Sequence, residues 1–155
     1  MTGFALKDDT IYDFTSQISG KLGSPITTGS FGDVYRCTIQ SSKGETEVAV
    51  KVFKIDRGRA TEENKKRILR ELKVWLRLRH LTIVPLLGIA YVEPPFPALF
   101  SQWVSSGTLP TYLRTQVNIT TSTKFLLVKG VADGLYYLHS ENVVHGDLHP
   151  VCMVV

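Results

Sequence analysis

Cysteine is scarce. The 155 residues hold two, Cys37 and Cys152, too far apart for a disulfide framework and neither within a Cys-x-x-Cys pair. A reducing, intracellular setting is the expectation, and cytoplasmic is its plainest form. Long apolar runs are missing too. No stretch approaches ~18 consecutive apolar residues, so no membrane-spanning helix is expected. Residues 1–9 show no basic segment followed by an apolar one, so no signal peptide is expected either. In an intracellular chain the sequon Asn118-Ile119-Thr120 would stay unused. Repeats and low-complexity tracts are absent, and the composition excludes a collagen-like repeat and a disordered polyampholyte.

What is present is ordinary globular usage: 43% apolar and 21% charged residues, enough in 155 residues to bury a core in one domain. Eighteen basic against fourteen acidic residues leave +4, and the excess is local. Residues 43–80 hold twelve Lys/Arg and six Asp/Glu, while the remainder is slightly acidic. Exposed aromatics are not interleaved with that stretch and no reading module is recognisable, so a solvated helix face accounts for it. Neither nucleic acid nor membrane is an expected partner.

Along the chain, residues 1–23 mix acids with isolated apolar residues and read as an arm or a first edge element. Residues 34–39 and 47–53 are β-type runs around the turn cluster Ser41-Ser42-Lys43-Gly44, a hairpin. Thr61 is expected to cap a helix whose first turn carries Glu62 and Glu63. Its apolar stripe is Ile68, Leu72, Trp75 and Leu76. Residues 83–91 and 98–104 read as two further strands, split by the breaker Glu93-Pro94-Pro95-Phe96-Pro97. After the connector Ser105-Ser106-Gly107 come a short helix near 109–114 and a longer one near 122–139. The longer helix has apolar Phe125, Val128, Leu135 and Leu138, a face that would need partners.

Four stations carry chemistry. Thr28-Gly29-Ser30-Phe31-Gly32-Asp33-Val34 is a glycine-bearing turn between strands. Glycines let backbone amides approach a phosphate, though two glycines three apart serve a plain turn as readily. Lys51, in Val48-Ala49-Val50-Lys51-Val52-Phe53, alternates onto the face of Ala49 and Phe53. A lysine there either snorkels to water from an edge or meets an anion. Glu71 lies at the margin of the helix stripe, so it either pairs with Lys51 or remains a solvated helix glutamate. Finally, His145-Gly146-Asp147-Leu148-His149-Pro150 follows the long helix and the β-type Asn142-Val143-Val144. A loop aspartate so placed suits a general base acting on a hydroxyl.

In this order and spacing, the residues resemble the protein kinase domain, in its tyrosine-kinase-like serine/threonine branch, from about residue 22 to 150. The resemblance implies an α+β, protein-kinase-like fold: a five-stranded antiparallel N-lobe sheet with one long helix, plus the first helices of an incomplete α-helical C-lobe. Residues 1–23 would be an N-terminal arm, 24–104 the nucleotide lobe ending in the hinge, and 105–155 the start of the C-lobe. It implies ATP as ligand, and a protein substrate or partner protein. Gly29 and Gly32 would belong to the loop over the nucleotide, with Thr27 in place of its first glycine. Val34 and Ala49 would roof the adenine, Lys51 would hold the α- and β-phosphates, and Glu71 would hold Lys51. Ser101 falls at the gatekeeper position, and main-chain groups of Gln102 and Val104 would pair with the adenine edge. Val154 would be its apolar floor. Asp147 matches the catalytic base and His145 the structural histidine of its loop.

Departures from the family pattern cluster late. Gly146 replaces the arginine that reads a phosphorylated activation loop. His149 replaces a lysine near the γ-phosphate, and imidazole is shorter and mostly neutral at pH 7. Cys152 replaces the magnesium-binding asparagine, although Mg²⁺ prefers hard oxygen ligands. The sequence stops at Val155, ahead of the family's Asp-Phe-Gly and activation segments. The 155 residues as written are therefore expected to be a truncated kinase domain, inactive in phosphoryl transfer. A pseudokinase-like nucleotide-binding scaffold is the alternative. His149-Pro150 leans towards serine/threonine over tyrosine.

Overall fold

A computed structural model describes residues 11–18, 22–29, 31–41, 44–55, 58, 60–93 and 96–155. Ser30 of the glycine turn, residues 42–43 of the hairpin turn and Pro94-Pro95 of the breaker lie outside them. The strands are β1 (Tyr12–Asp13), β2 (Thr27–Thr28), β3 (Gly32–Ser41), β4 (Gly44–Phe53), β5 (Leu86–Glu93) and β6 (Phe96–Gln102). The helices are α1 (Thr61–Arg77), α2 (Leu109–Thr115) and α3 (Thr121–Ser140), with single 3₁₀ turns at Thr15–Gln17 and Pro150–Cys152. The chain divides into two compact units. The first takes the residues up to Arg77 and Pro85–Trp103; the second takes Leu78–Val84 and Val104–Val155.

The first unit is a sheet in the order β1-β5-β6-β4-β3-β2. Its backbone is the hairpin β3/β4, paired without interruption from Gly32↔Phe53 to Ser41↔Gly44. Strict alternation then separates two apolar faces. Ile39, Val48, Val50, Ala90, Ala98 and Phe100 pack together on one face. Phe53, Leu86, Ile89 and Leu99 pack on the other, against Ile68 and Leu72 of α1. Both α1 residues are almost fully buried, as their four-residue spacing requires. Burying side chains of this size is worth about 1.5–3 kcal/mol each. Helix and sheet therefore form one core.

Among the described residues six strands, not the expected five, make the sheet, and it is mixed rather than antiparallel. The additional strand β1 runs parallel to β5, with Tyr12 opposite Gly88 and Asp13 opposite Ile89. Part of the expected arm is thus an edge strand. Phe14 is buried and stacks on Phe100, its ring centroid 5.2 Å away. Its N–H donates to Ile89 O at 2.8 Å, and Tyr91 N–H donates to Thr15 Oγ1 at 3.0 Å. Gly88 is what permits this approach. A Cβ there would collide with the Tyr12 carbonyl and stand 2.7 Å from the Phe14 ring. Burial, and then the Asp13 carboxylate, push the Tyr91 phenol above its ordinary range.

Other boundaries shift. Thr61 sits inside the first turn of α1; the amides of Glu63 and Asn64 bond to Ala60 O, so the cap position is Ala60. β5 begins at Leu86, later than residue 83, because Ile83 N–H closes a turn onto His80 O. β6 ends at Gln102. Val143 and Val144 form no strand: Val143 N–H bonds to Leu138 O at 2.8 Å and so completes the end of α3, with Asn142 left-handed at φ 59°.

The second unit is built around α3. Thr120 caps it, accepting Thr123 N–H at 3.1 Å. Gly134 faces Thr82, whose Oγ1 would stand 2.9 Å from a Cβ at that position. Tyr137 Oη accepts Arg79 N–H at 2.7 Å and the Tyr137 ring stacks on His80. These contacts tie Leu78–Val84 to the helix. Of the apolar face expected to need partners, Phe125 and Val128 are exposed, Leu135 is half-buried and Leu138 is buried. No helix among the described residues is long and apolar enough to cross a membrane.

The two thiols differ in setting. Cys37, half-buried beside the core, has its thiol pushed up by burial; Cys152 is exposed. With iodoacetamide at pH 8, Cys152 should therefore alkylate about tenfold faster than Cys37. Equal rates by peptide mass mapping would contradict this placement.

Candidate functional site

Lys51 and Glu71 form an ion pair between β4 and α1. The helix presents Glu71 inward because the carboxylate sits one position before Leu72, at the edge of the stripe that fixes α1 on the sheet. The Lys51 ammonium also lies 5.1 Å from the centroid of the Phe53 ring. The Lys51 cation is thus oriented by one carboxylate and left partly open to water, with about a quarter of its side chain exposed.

Cross-strand register assembles the surface around it. Val34 stands opposite Lys51, and Lys51 opposite Leu99. One row along, Arg36 stands opposite Ala49, and Ala49 opposite Ser101. Directly opposed residues share a face, so Val34, Ala49, Lys51 and Ser101 line the α1 side of the sheet. Ser101 is buried there. Gln102, opposite Val48, is exposed at the end of β6.

The glycine turn closes on itself through Gly29 N–H to Gly32 O at 3.0 Å. Gly32 has a steric reason to be glycine, since a Cβ would strike the Val52 carbonyl. Two basic residues with no role in the sequence reading hold this turn. Lys54 Nζ donates to Gly29 O at 3.0 Å and lies 3.2 Å from Asp33 Oδ1. Arg67 Nη2 donates to Lys54 O at 2.8 Å, and its guanidinium lies 6.0 Å from the Phe31 ring centroid. Spacing signals only Arg67, one helical turn before Glu71; Lys54, three residues past Lys51 and beyond the end of β4, has no such signal.

The remaining site candidates lie in the second unit. Val104 O accepts Gly107 N–H in the turn that leads to α2. Val154 pairs with Thr108 in an isolated bridge, flanked by Leu109 N–H to Met153 O at 2.8 Å. Asp147 is exposed, with its Oδ2 3.8 Å from His149 Nε2. His145 is exposed, and its Nδ1 accepts Asp147 N–H at 3.4 Å. Gly146 between them has φ 73°, a conformation glycine adopts freely and other residues only at a cost of roughly 1–2 kcal/mol.

The protein tyrosine and serine/threonine kinase family matches this sequence over residues 21–154. The chain belongs to the protein kinase family. Among similar proteins, serine/threonine-protein kinase STY46 of Arabidopsis thaliana is 31% identical over 129 residues, covering 83% of this chain and 21% of that protein. Tyrosine-protein kinase Fer of Homo sapiens is 35% identical, covering 82% of this chain and 15% of its own. Tyrosine kinase receptor Cad96Ca of Drosophila melanogaster is 36% identical, covering 77% and 17%. The chain thus spans about a fifth or less of the length of these kinases, and they include both serine/threonine and tyrosine kinases.

Kinases use ATP with magnesium, and the two fit these residues unequally. The Lys51 ammonium beside the apolar Val34 and Ala49 suits a base attached to a polyphosphate. The late loop does not suit magnesium. Cys152 Sγ is a soft donor engaged with His149 O at 2.8 Å, and among the described residues no group of three His, Cys, Asp or Glu side chains converges as a metal site requires.

Proposed function

We propose that this kinase-family chain binds ATP on the α1 side of its sheet, as the nucleotide-binding part of a domain that transfers the γ-phosphoryl group to protein hydroxyls. The Lys51–Glu71 pair carries this reading. A partly exposed ammonium fixed by a carboxylate is a ready clamp for α- and β-phosphates, because its orientation is set before the ligand arrives. Val34 and Ala49 would cover the adenine ring and the main chain of Gln102 would meet its edge; Val104 and Val154, in the second unit, are the counterparts that the family resemblance assigns to the edge and the floor. Gly29 and Gly32 would bring backbone amides over the phosphates. Asp147 would take the proton of the attacking hydroxyl, with Nε2 of His149 nearby as a competitor for its charge when protonated. Serine, threonine and tyrosine hydroxyls all remain open as acceptors.

A second reading, a nucleotide-binding scaffold, is favoured by Gly146, His149 and Cys152. The magnesium position carries a thiol, and the loop lacks the arginine and lysine of the family pattern. One titration tests nucleotide binding and separates the metal's role. A fluorescent ATP analogue added to the 155-residue chain should bind saturably and be displaced by ATP. EDTA should change its affinity by no more than about threefold, since the late loop offers magnesium poor donors. Absence of saturable binding would remove both readings.

A further inference from the structure

Trp103, the first residue after β6, is held by two residues that the nucleotide reading does not use. Arg36 Nη2 lies 2.5 Å from Glu47 Oε1, and its Nε donates to the same oxygen at 2.7 Å. The Arg36 guanidinium carbon also lies 5.1 Å from the centroid of the Trp103 ring. Glu47 grips this stretch a second time, its main-chain carbonyl accepting Trp103 N–H at 3.4 Å. That bond continues the ladder of Val48↔Gln102 and Ala49↔Ser101 one step past the end of β6.

The cluster is in register with the proposed site. Arg36, Ala49 and Ser101 form one cross-strand row, next to the row of Val34, Lys51 and Leu99. Arg36 therefore stands at the rim of the surface assigned to adenine, on the same face as Lys51. Trp103 N–H is occupied by Glu47, so the main-chain groups left for a ligand are those of its neighbours. Both charged side chains are about half exposed, so the cluster contributes little to stability.

We propose that Arg36, Glu47 and Trp103 form a clamp that fixes the main chain at the adenine end of the site, with Arg36 as a positioning residue for purine nucleotides. The clamp rests on the nucleotide reading above and deepens it. A main chain held in the bound conformation loses less entropy when the base arrives, so releasing it weakens binding without touching the ligand.

The test uses Trp103 as its own reporter in the Trp75→Phe chain, where it is the single tryptophan. Arg36→Ala should alter Trp103 emission and weaken binding of the fluorescent ATP analogue by about threefold to tenfold, with an unchanged melting temperature. Arg36→Lys, which keeps a cation at the ring, should recover most of the affinity. Glu47→Gln, which keeps the main-chain bond, should give an intermediate loss. Should Arg36→Ala destabilise the chain, Glu47→Gln decides by the same two signals. Unaltered affinity and emission in the variants, with the parent chain binding normally, would overturn the clamp alone. A parent chain that binds no nucleotide would overturn the nucleotide reading and the clamp with it.

Discussion

Replacing Phe100 by alanine should lower the unfolding free energy by about 3–5 kcal/mol, close to the limit for a single core truncation. Phe100 is fully buried at the centre of the sheet, opposite Val50 on β4 and Gly88 on β5. Its ring stacks on Phe14, so the substitution removes the surface against which β1 and the following turn are held. The gap cannot be filled cheaply, because Val48, Val50, Ala90 and Ala98 around it are short and fixed by strand register. Urea denaturation of the parent and Phe100→Ala chains, followed by circular dichroism, gives the difference directly. Leu81→Ala provides the contrast: Leu81 is fully exposed, and its loss should cost under about 0.5 kcal/mol. A Phe100→Ala cost below about 1 kcal/mol would mean that Phe14, Val48, Val50 and Phe100 do not form the packed face described.

Most of the first unit was legible because its signals are local. Alternation in β4 sorts its residues onto two faces, and the Ile68/Leu72 spacing in α1 sets the one stripe by which that helix can pack on the sheet. The Lys51–Glu71 pair was legible for the same reason: each residue stood at an inward or marginal position whose charge needed an opposite. The edge strand was harder. Two residues, Tyr12 and Asp13, are too short to show a period, and the decisive signal is Gly88 in a different strand, which marks a close backbone approach only once its partner is known. The Arg36–Glu47–Trp103 cluster joins residues up to 67 positions apart through two exposed charged side chains and a half-buried ring, where no hydrophobic pattern points. Around Asp147, sequence motif runs ahead of packing: the residue types of the loop are readable, whereas Val143 spends its amide on ending α3 and no strand forms beside it.

The Lys51–Glu71 contact leads to the largest functional expectation, a loss of about tenfold to a hundredfold in nucleotide affinity for Lys51→Met. Methionine keeps the apolar stem and Phe53 contact but removes the charge that would meet the phosphates. Stability should move by only about 1 kcal/mol, because both partners are partly exposed and solvent already screens the pair. Glu71→Gln isolates orientation from charge. Glutamine still accepts a hydrogen bond but no longer attracts the ammonium, so Lys51 samples more positions and affinity should fall by about tenfold. The double substitution decides how the two act. If Glu71 works by placing Lys51, the double variant should bind no worse than Lys51→Met, giving a coupling of about 1–2 kcal/mol. Fully additive losses would mean that Glu71 meets the ligand by a route of its own. Unchanged affinity in Lys51→Met would detach the ion pair from nucleotide binding and leave it as a bolt between helix and sheet.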